Sequence, residues 1–152
     1  MKDYSDDDSA TVLAGESWRL SLRVYYEDTD FSGYVYHASY LRFLERARTE
    51  WLRSIGFEQR DLKRSDALTF AVRRIEIDYV RPAAMDDALT VHTRIRRTGG
   101  ASIDFEQTIA RGGEILVEAI VSVALLKSGR PARMPIAMKA RILQAAEAGV
   151  GR

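Results

Sequence analysis

The segment Tyr25-Tyr26-Glu27-Asp28-Thr29-Asp30-Phe31-Ser32-Gly33-Tyr34-Val35-Tyr36-His37 places three carboxylates, one histidine and four tyrosines in thirteen consecutive residues. An ionised Asp can activate a water molecule, or attack a carbonyl itself and form an anhydride. Both roles need the charged form, which Asp holds at neutral pH with a reference pKa of ~3.9. The segment runs from a strand pattern into a helix pattern. A helix start supplies unpaired backbone N–H groups and a positive dipole end, which can hold a developing oxyanion. Asp30, with the donors near His37, is therefore a candidate hydrolytic pair without Ser, Cys or metal.

Other chemistries compete for the same residues. Asp28, Asp30, Ser32 and Gly33 match the opening of a calcium loop, but its twelfth position is Ser39 rather than Glu and a strand precedes it. Asp in a tight Gly-containing loop also caps its own backbone, a role that suits Asp28. Glu27 reads as solvated or ion-paired. His37 reads either as a capping histidine or as a substrate-orienting donor, through its ring or its amide. His92 falls on the polar side of a strand and reads as a surface residue. Two histidines so far apart make a weak metal case, and no metal or cofactor is expected. Arg94, Arg96 and Arg97 read as a phosphate contact or as the solvated edge of a hairpin. Gly99-Gly100 and Gly112-Gly113 lack the strand–loop–helix setting of a phosphate loop. Ser32, Ser39 and Ser102 have no nearby His–acid pair.

The elements that must carry these groups are legible from periodicity. Leu20, Leu22, Val24 and Tyr26 alternate over Trp18 to Glu27, the pattern of a strand. Tyr40, Leu44, Ala47, Trp51 and Ile55 recur at four-three-four spacing, which predicts a helix over about Ser39 to Ser54 with Gly56 as its left-handed cap. From Leu68 onward the pattern is strand: Ile75 to Tyr79, Leu89 to Ile95, Ile103 to Ile109 and Ile115 to Leu126, with glycine pairs at two of the turns. The last of these is apolar on both faces, which predicts a central strand covered on both sides. One helix covers one face of such a sheet, and a second copy of the chain is the simplest cover for what remains.

The 152 residues suit one domain able to bury roughly 70% of its unfolded surface. Lys and Arg total 23 and Asp and Glu 22, so no basic excess marks a nucleic-acid binder. Residues 1–17 hold Lys2 against Asp3, Asp6, Asp7, Asp8 and Glu16, a net of −4. That leaves 22 basic and 17 acidic residues, or +5, on the rest. The expected division is an acidic disordered tail at 1–17, a folded domain at 18–143 and a flexible end at 144–152. There is no cysteine, which excludes disulfides and a Cys nucleophile. No apolar run approaches a membrane span, and the acidic start is not a secretory signal, so a cytoplasmic location is expected.

Arg23-Val24-Tyr25-Tyr26-Glu27-Asp28-Thr29-Asp30, then Gly33, then Val35-Tyr36-His37-Ala38-Ser39-Tyr40-Leu41 and Glu45-Arg46-Ala47-Arg48-Thr49-Glu50 resemble the signature of hotdog-fold acyl-CoA thioesterases. The resemblance is to the 4-hydroxybenzoyl-CoA thioesterase family and its Tol–Pal-associated branch. It continues through Phe70 to Arg74, Tyr79 to Ala83, Asp86-Asp87 and Pro131 to Pro135, covering about Arg19 to Ile142. It implies an α+β hotdog fold, one long helix wrapped by a five-stranded antiparallel sheet, in dimers or tetramers with the site between chains. It implies Asp30 as the catalytic carboxylate and His37 beside it. Gly33, Val35 and Tyr36 would form the substrate-binding loop, with an amide at Tyr36 or His37 polarising the thioester carbonyl. Phe31 and Ser32 stand where that branch usually has small residues, often Ala or Gly, and Tyr34 where a smaller apolar residue is common; the bulkier Phe31 and Tyr34 would narrow the acyl pocket or line it with aromatic surface. The function expected is hydrolysis of an acyl-CoA to a free acid and CoA. Alternatives are a non-catalytic acyl-CoA binding or regulatory module and a hotdog hydratase or dehydratase. An acyl carrier protein is a further possible partner, given the basic body.

Overall fold

The computed structural model describes residues 11–12 and 17–148. Five long strands and one long helix dominate. They are β2 (Trp18–Arg23), α1 (Ser39–Ser54), β3 (Leu68–Tyr79), β4 (Ala88–Thr98), β5 (Ser102–Arg111) and β6 (Glu114–Lys127). Two-residue strands β1 (Thr11–Val12) and β7 (Arg130–Pro131), and the helices α2 (Gln59–Asp66) and α3 (Ile136–Ala148), complete the described chain. Most of the expected acidic tail lies outside the described residues; within it, Thr11 and Val12 pair with Thr98 and Arg97. At the other end α3 continues to Ala148, with Ala145 buried.

All pairings are antiparallel. β4 pairs with β2, then the order runs β4-β5-β6-β3, so β3 is an outer edge. The inward positions follow the alternation read from the sequence. Val91, Thr93 and Ile95 pair with Ile109, Gln107 and Phe105, and these six are buried together with Leu89 and Ile103. The α1 stripe Tyr40, Leu44, Ala47, Trp51 and Ile55 packs onto this face, each at most 3% exposed. A helix with one apolar face is held by such packing rather than by intrinsic propensity. Its end is a Schellman cap. The Phe57 N–H donates to Leu52 and the Gly56 N–H to Arg53, with Gly56 at φ +97.

A buried polar hub sits under α1. Gln107, fully buried, donates from Nε2 to the Leu44 carbonyl at 3.0 Å and to Thr93 Oγ1 at 2.8 Å. Its Oε1 accepts from Arg48 Nη1 at 3.0 Å. Both ends of the Gln107 amide are thereby satisfied.

One expectation changes. The first strand stops at Arg23, and Tyr26 sits in a single 3-10 turn, 77% exposed rather than facing the core. β6 is indeed central, but its outer-face Ile120 is already shielded in the single chain, at 2% exposed. The outer edge of β3 meets no strand among the described residues.

Candidate active site

The site is built where the chain leaves β2 and enters α1. The Val24 N–H donates to the Asp87 carbonyl and the Asp86 N–H to the Val24 carbonyl, anchoring the departure. Asp28 is buried and accepts the Tyr25 N–H at 2.9 Å, so it caps its own turn as its type suggested. Asp30 to Tyr34 then forms a short hairpin. The Gly33 N–H donates to Asp30 and the Asp30 N–H to Tyr34, both at 3.0 Å, with Gly33 at φ +86. A residue in that left-handed region after a tight turn lets the two arms re-pair, and Gly adopts it without strain. The return arm pairs Val35 with Thr29 and hands the Tyr36 N–H to the Asp28 carbonyl at 2.9 Å.

Asp30 is exposed at the head of this hairpin. Its Oδ1 accepts the Ser32 hydroxyl, and the Ser32 N–H at 2.8 Å. These two donors, helped by the charge of His37, hold its carboxyl below the ordinary value against a small opposing effect of desolvation. The carboxylate is thus ionised at neutral pH and fixed in direction.

The helix start lies beside it in sequence and carries no side-chain cap; Ala38 holds the cap position. The Ser39 N–H donates to the Tyr36 carbonyl. Of the two amides expected to polarise a carbonyl, that of Tyr36 is already engaged by Asp28. The amide of His37 meets no acceptor among the described residues. The His37 ring is exposed, 4.5 Å from the Tyr36 ring. Val35 is buried in the core, so its side chain offers no surface to a ligand in the single chain. Gly33 acts through its backbone geometry. Phe31, Tyr26 and Tyr34, by contrast, are at least half exposed and flank the carboxylate with aromatic surface.

Three positioning residues had no role read from the sequence. Tyr79, at the end of β3, donates its hydroxyl to the His37 carbonyl at 2.9 Å. Tyr40 accepts the Ala83 N–H on its hydroxyl, also at 2.9 Å, fixing the segment that receives the Val35 N–H. Asp87 accepts the Ala84 N–H at 2.8 Å and Arg111 Nη1 at 2.6 Å. Arg111 also meets Glu114, which meets Arg81. Their motifs were visible as Tyr79 to Ala83 and Asp86-Asp87, but only the fold brings them beside residues 24–37.

Comparisons with known proteins agree with this architecture. Residues 32–118 match the model of the thioesterase superfamily. Asp30 therefore stands two residues ahead of the matched span. An acyl-CoA thioesterase YbgC from Haemophilus influenzae is 46% identical over 130 residues, 84% of this chain and 96% of that protein. The crystal structure of a probable thioesterase from Bartonella henselae is 47% identical, with a TM-score of 0.75, covering 78% of this chain and 99% of that one. A thioesterase from Thermus thermophilus, crystallised with coenzyme A and Zn, is 30% identical with a TM-score of 0.74, covering 84% and 98%. With its fold, its helix start and its sequence all in accord, the chain belongs to the thioesterase superfamily.

Proposed function

We propose that the protein hydrolyses acyl-CoA thioesters to a free carboxylic acid and CoA. The observation that carries this reading is an exposed Asp30, held ionised by Ser32 and near enough to His37 to feel its charge, in a loop that leads to the unengaged His37 amide just ahead of α1. The thioester carbonyl oxygen lies against the His37 N–H, which stabilises the negative charge that grows there. Asp30 either attacks the carbonyl carbon, expelling CoA thiolate and leaving an anhydride for water to cleave, or takes a proton from the attacking water. Tyr79 and the Ala83 segment hold the helix start in register with the hairpin. The relative named above as an acyl-CoA thioesterase supports the substrate class.

The working unit in this proposal is a homo-oligomer, a dimer at least, acting in the cytoplasm. β3 presents twelve residues whose outer edge pairs with no strand among the described residues, with Val72 and Tyr79 each 46% exposed. A long edge of that kind is a template for a second strand. An acidic acyl carrier protein is a further partner suited to the +5 body.

Thiol release from a panel of acyl-CoAs, followed with a thiol reagent, tests the reaction. Release with turnover supports it; tight binding without release sinks it in favour of a binding module. Hydration of enoyl-CoA without thiol release sinks it in favour of a hydratase. Label in the Asp30 carboxylate after a single turnover in oxygen-18 water would mark the anhydride route, because only opening of an anhydride at the Asp30 carbon places it there.

A further inference from the structure

A second chemically distinctive place lies farther along the same helix. A cavity of about 120 Å³ opens between α1, β3 and the inner sheet face, walled by Leu52, Phe70, Val72, Phe105 and Val123. For scale, an engineered apolar cavity of ~150 Å³ holds benzene. Arg48 lines it, 8% exposed. Its guanidinium makes one hydrogen bond, to the neutral Gln107, and no carboxylate lies at ion-pair distance among the described residues. Burial pulls its pKa down to about 10, opposed by the charge of Glu45, so it stays a cation at neutral pH. Glu45, Thr49 and Gln59 complete the lining beside the apolar walls, and a buried cation there with one neutral hydrogen-bond partner is costly unless an anion comes to ion-pair distance.

The cavity and the catalytic hairpin share two borders. α1 and β3 meet at the Tyr40–Tyr79 ring contact, next to the Tyr79–His37 bond, and the same two elements supply Thr49, Leu52, Phe70 and Val72 to the cavity. Between these points β3 shows half-buried Ile75 and Ile77 on its helix side. Arg48 stands eleven positions beyond His37, nearly all of them helical, about 16 Å along the axis. An acyl chain held by its carbonyl at His37 can thus lie along this seam with its far end at the cavity.

Resting on the thioesterase reading above, we infer that Arg48 is a specificity-determining residue which favours acyl groups ending in a carboxylate over plain hydrocarbon chains. A carboxylate matches the planar donor fork of guanidinium. Glu45, exposed at the same cavity, opposes the preference and sets its size.

The test compares acyl-CoAs matched in length that end in methyl or in carboxylate, from short chains to long ones. The readout is the ratio of kcat/KM within each matched pair. The ratio is expected to favour carboxylate about tenfold once the chain spans the seam, and to be near one for short chains that do not. Arg48→Met is expected to bring the long-chain ratio to one or below. Arg48→Lys, which keeps the charge and guards against misfolding of the first variant, retains part of the preference. Glu45→Gln raises it. A wild-type ratio of one at every length, with short acyl-CoAs hydrolysed normally, overturns the inference and leaves the thioesterase reading intact. So does a ratio that survives in Arg48→Met, or one lost only together with the oligomeric state. If no acyl-CoA is hydrolysed, the catalytic reading fails instead. Calorimetric binding of the same matched pairs then decides the role of Arg48 by the same ratios.

Discussion

The Tyr79 hydroxyl donates to the His37 carbonyl at 2.9 Å, joining the outer strand of the sheet to the residue that leads into the long helix. The amide of His37 is the donor left open, and its carbonyl is the handle by which β3 holds it. A neutral hydrogen bond of this kind is worth about 1 kcal/mol, or about fivefold in an equilibrium. Tyr79→Phe is therefore expected to lower kcat about fivefold and the melting temperature by a few degrees, with KM nearly unchanged. Steady-state kinetics on one good acyl-CoA checks it.

Asp30→Asn keeps an oxygen that can accept the Ser32 N–H, so the hairpin is expected to stay folded. The charge is lost, and with it general-base or nucleophilic action. Loss of a positioned base costs on the order of a hundred- to ten-thousandfold in rate. Circular dichroism and thermal melting should match wild type while turnover collapses; near-normal turnover in clean protein would remove Asp30 from the mechanism.

Ser32→Ala tests the electrostatics of the same carboxylate. Ser32 is the largest cause of the depressed Asp30 value, through its hydroxyl first and its amide second. Activity needs the ionised form, so it falls as pH drops through the Asp30 pKa. Removing the hydroxyl raises that pKa, and the acid limb of the pH–rate profile is expected to move to higher pH. An unmoved limb would assign it to another group.

A Cβ added at Gly33 meets no atom within 4 Å, so the effect of Gly33→Ala is conformational alone. Holding a non-Gly residue in the left-handed region costs about 1–2 kcal/mol. We expect a melting temperature lowered by several degrees together with reduced kcat. Gly33→Asn should be milder, because Asn tolerates that region better.

Asp87 links stability to pH. Its carboxyl is held below the ordinary value, first by the Ala84 N–H and then by Arg111. A depressed folded-state value contributes stability that is present above the unfolded value of ~3.9 and lost as pH falls through the folded value. Asp87→Asn is expected to melt earlier at neutral pH and to show a flatter decline in melting temperature below about pH 4.

The long elements and the chemical loop were legible because each depends on local pattern. The stripe from Tyr40 to Ile55 and the alternation in β4 to β6 are set by burial on one face, and periodicity reports that directly. α2 was not legible because Gln59–Asp66 is polar all round except for Leu62, so no stripe announces it. α3 buries Met138, Ile142 and Ala145 at four-three spacing, but the apolar residues between them, Ile136, Ala137, Ala140, Leu143 and Ala146, blur that stripe in the sequence. At the site, the sequence offered Asp30 and His37 but left Tyr36 and His37 equal as amide donors. The Tyr36–Asp28 bond distinguishes them, and it exists only once the Asp30 hairpin has closed. Tyr79 reaches His37 across 42 residues, and Asp87 reaches Arg111 across 24, beyond the reach of any local pattern.

The strand that grips His37 is also the strand whose outer backbone is left open in the lone chain, among the described residues. Docking of a neighbour along it would stiffen Tyr79 and, through that grip, the His37 amide proposed as the oxyanion donor. Catalytic competence and assembly then share one mechanical part, so progressive dilution would weaken turnover per chain while the helical signal stays intact.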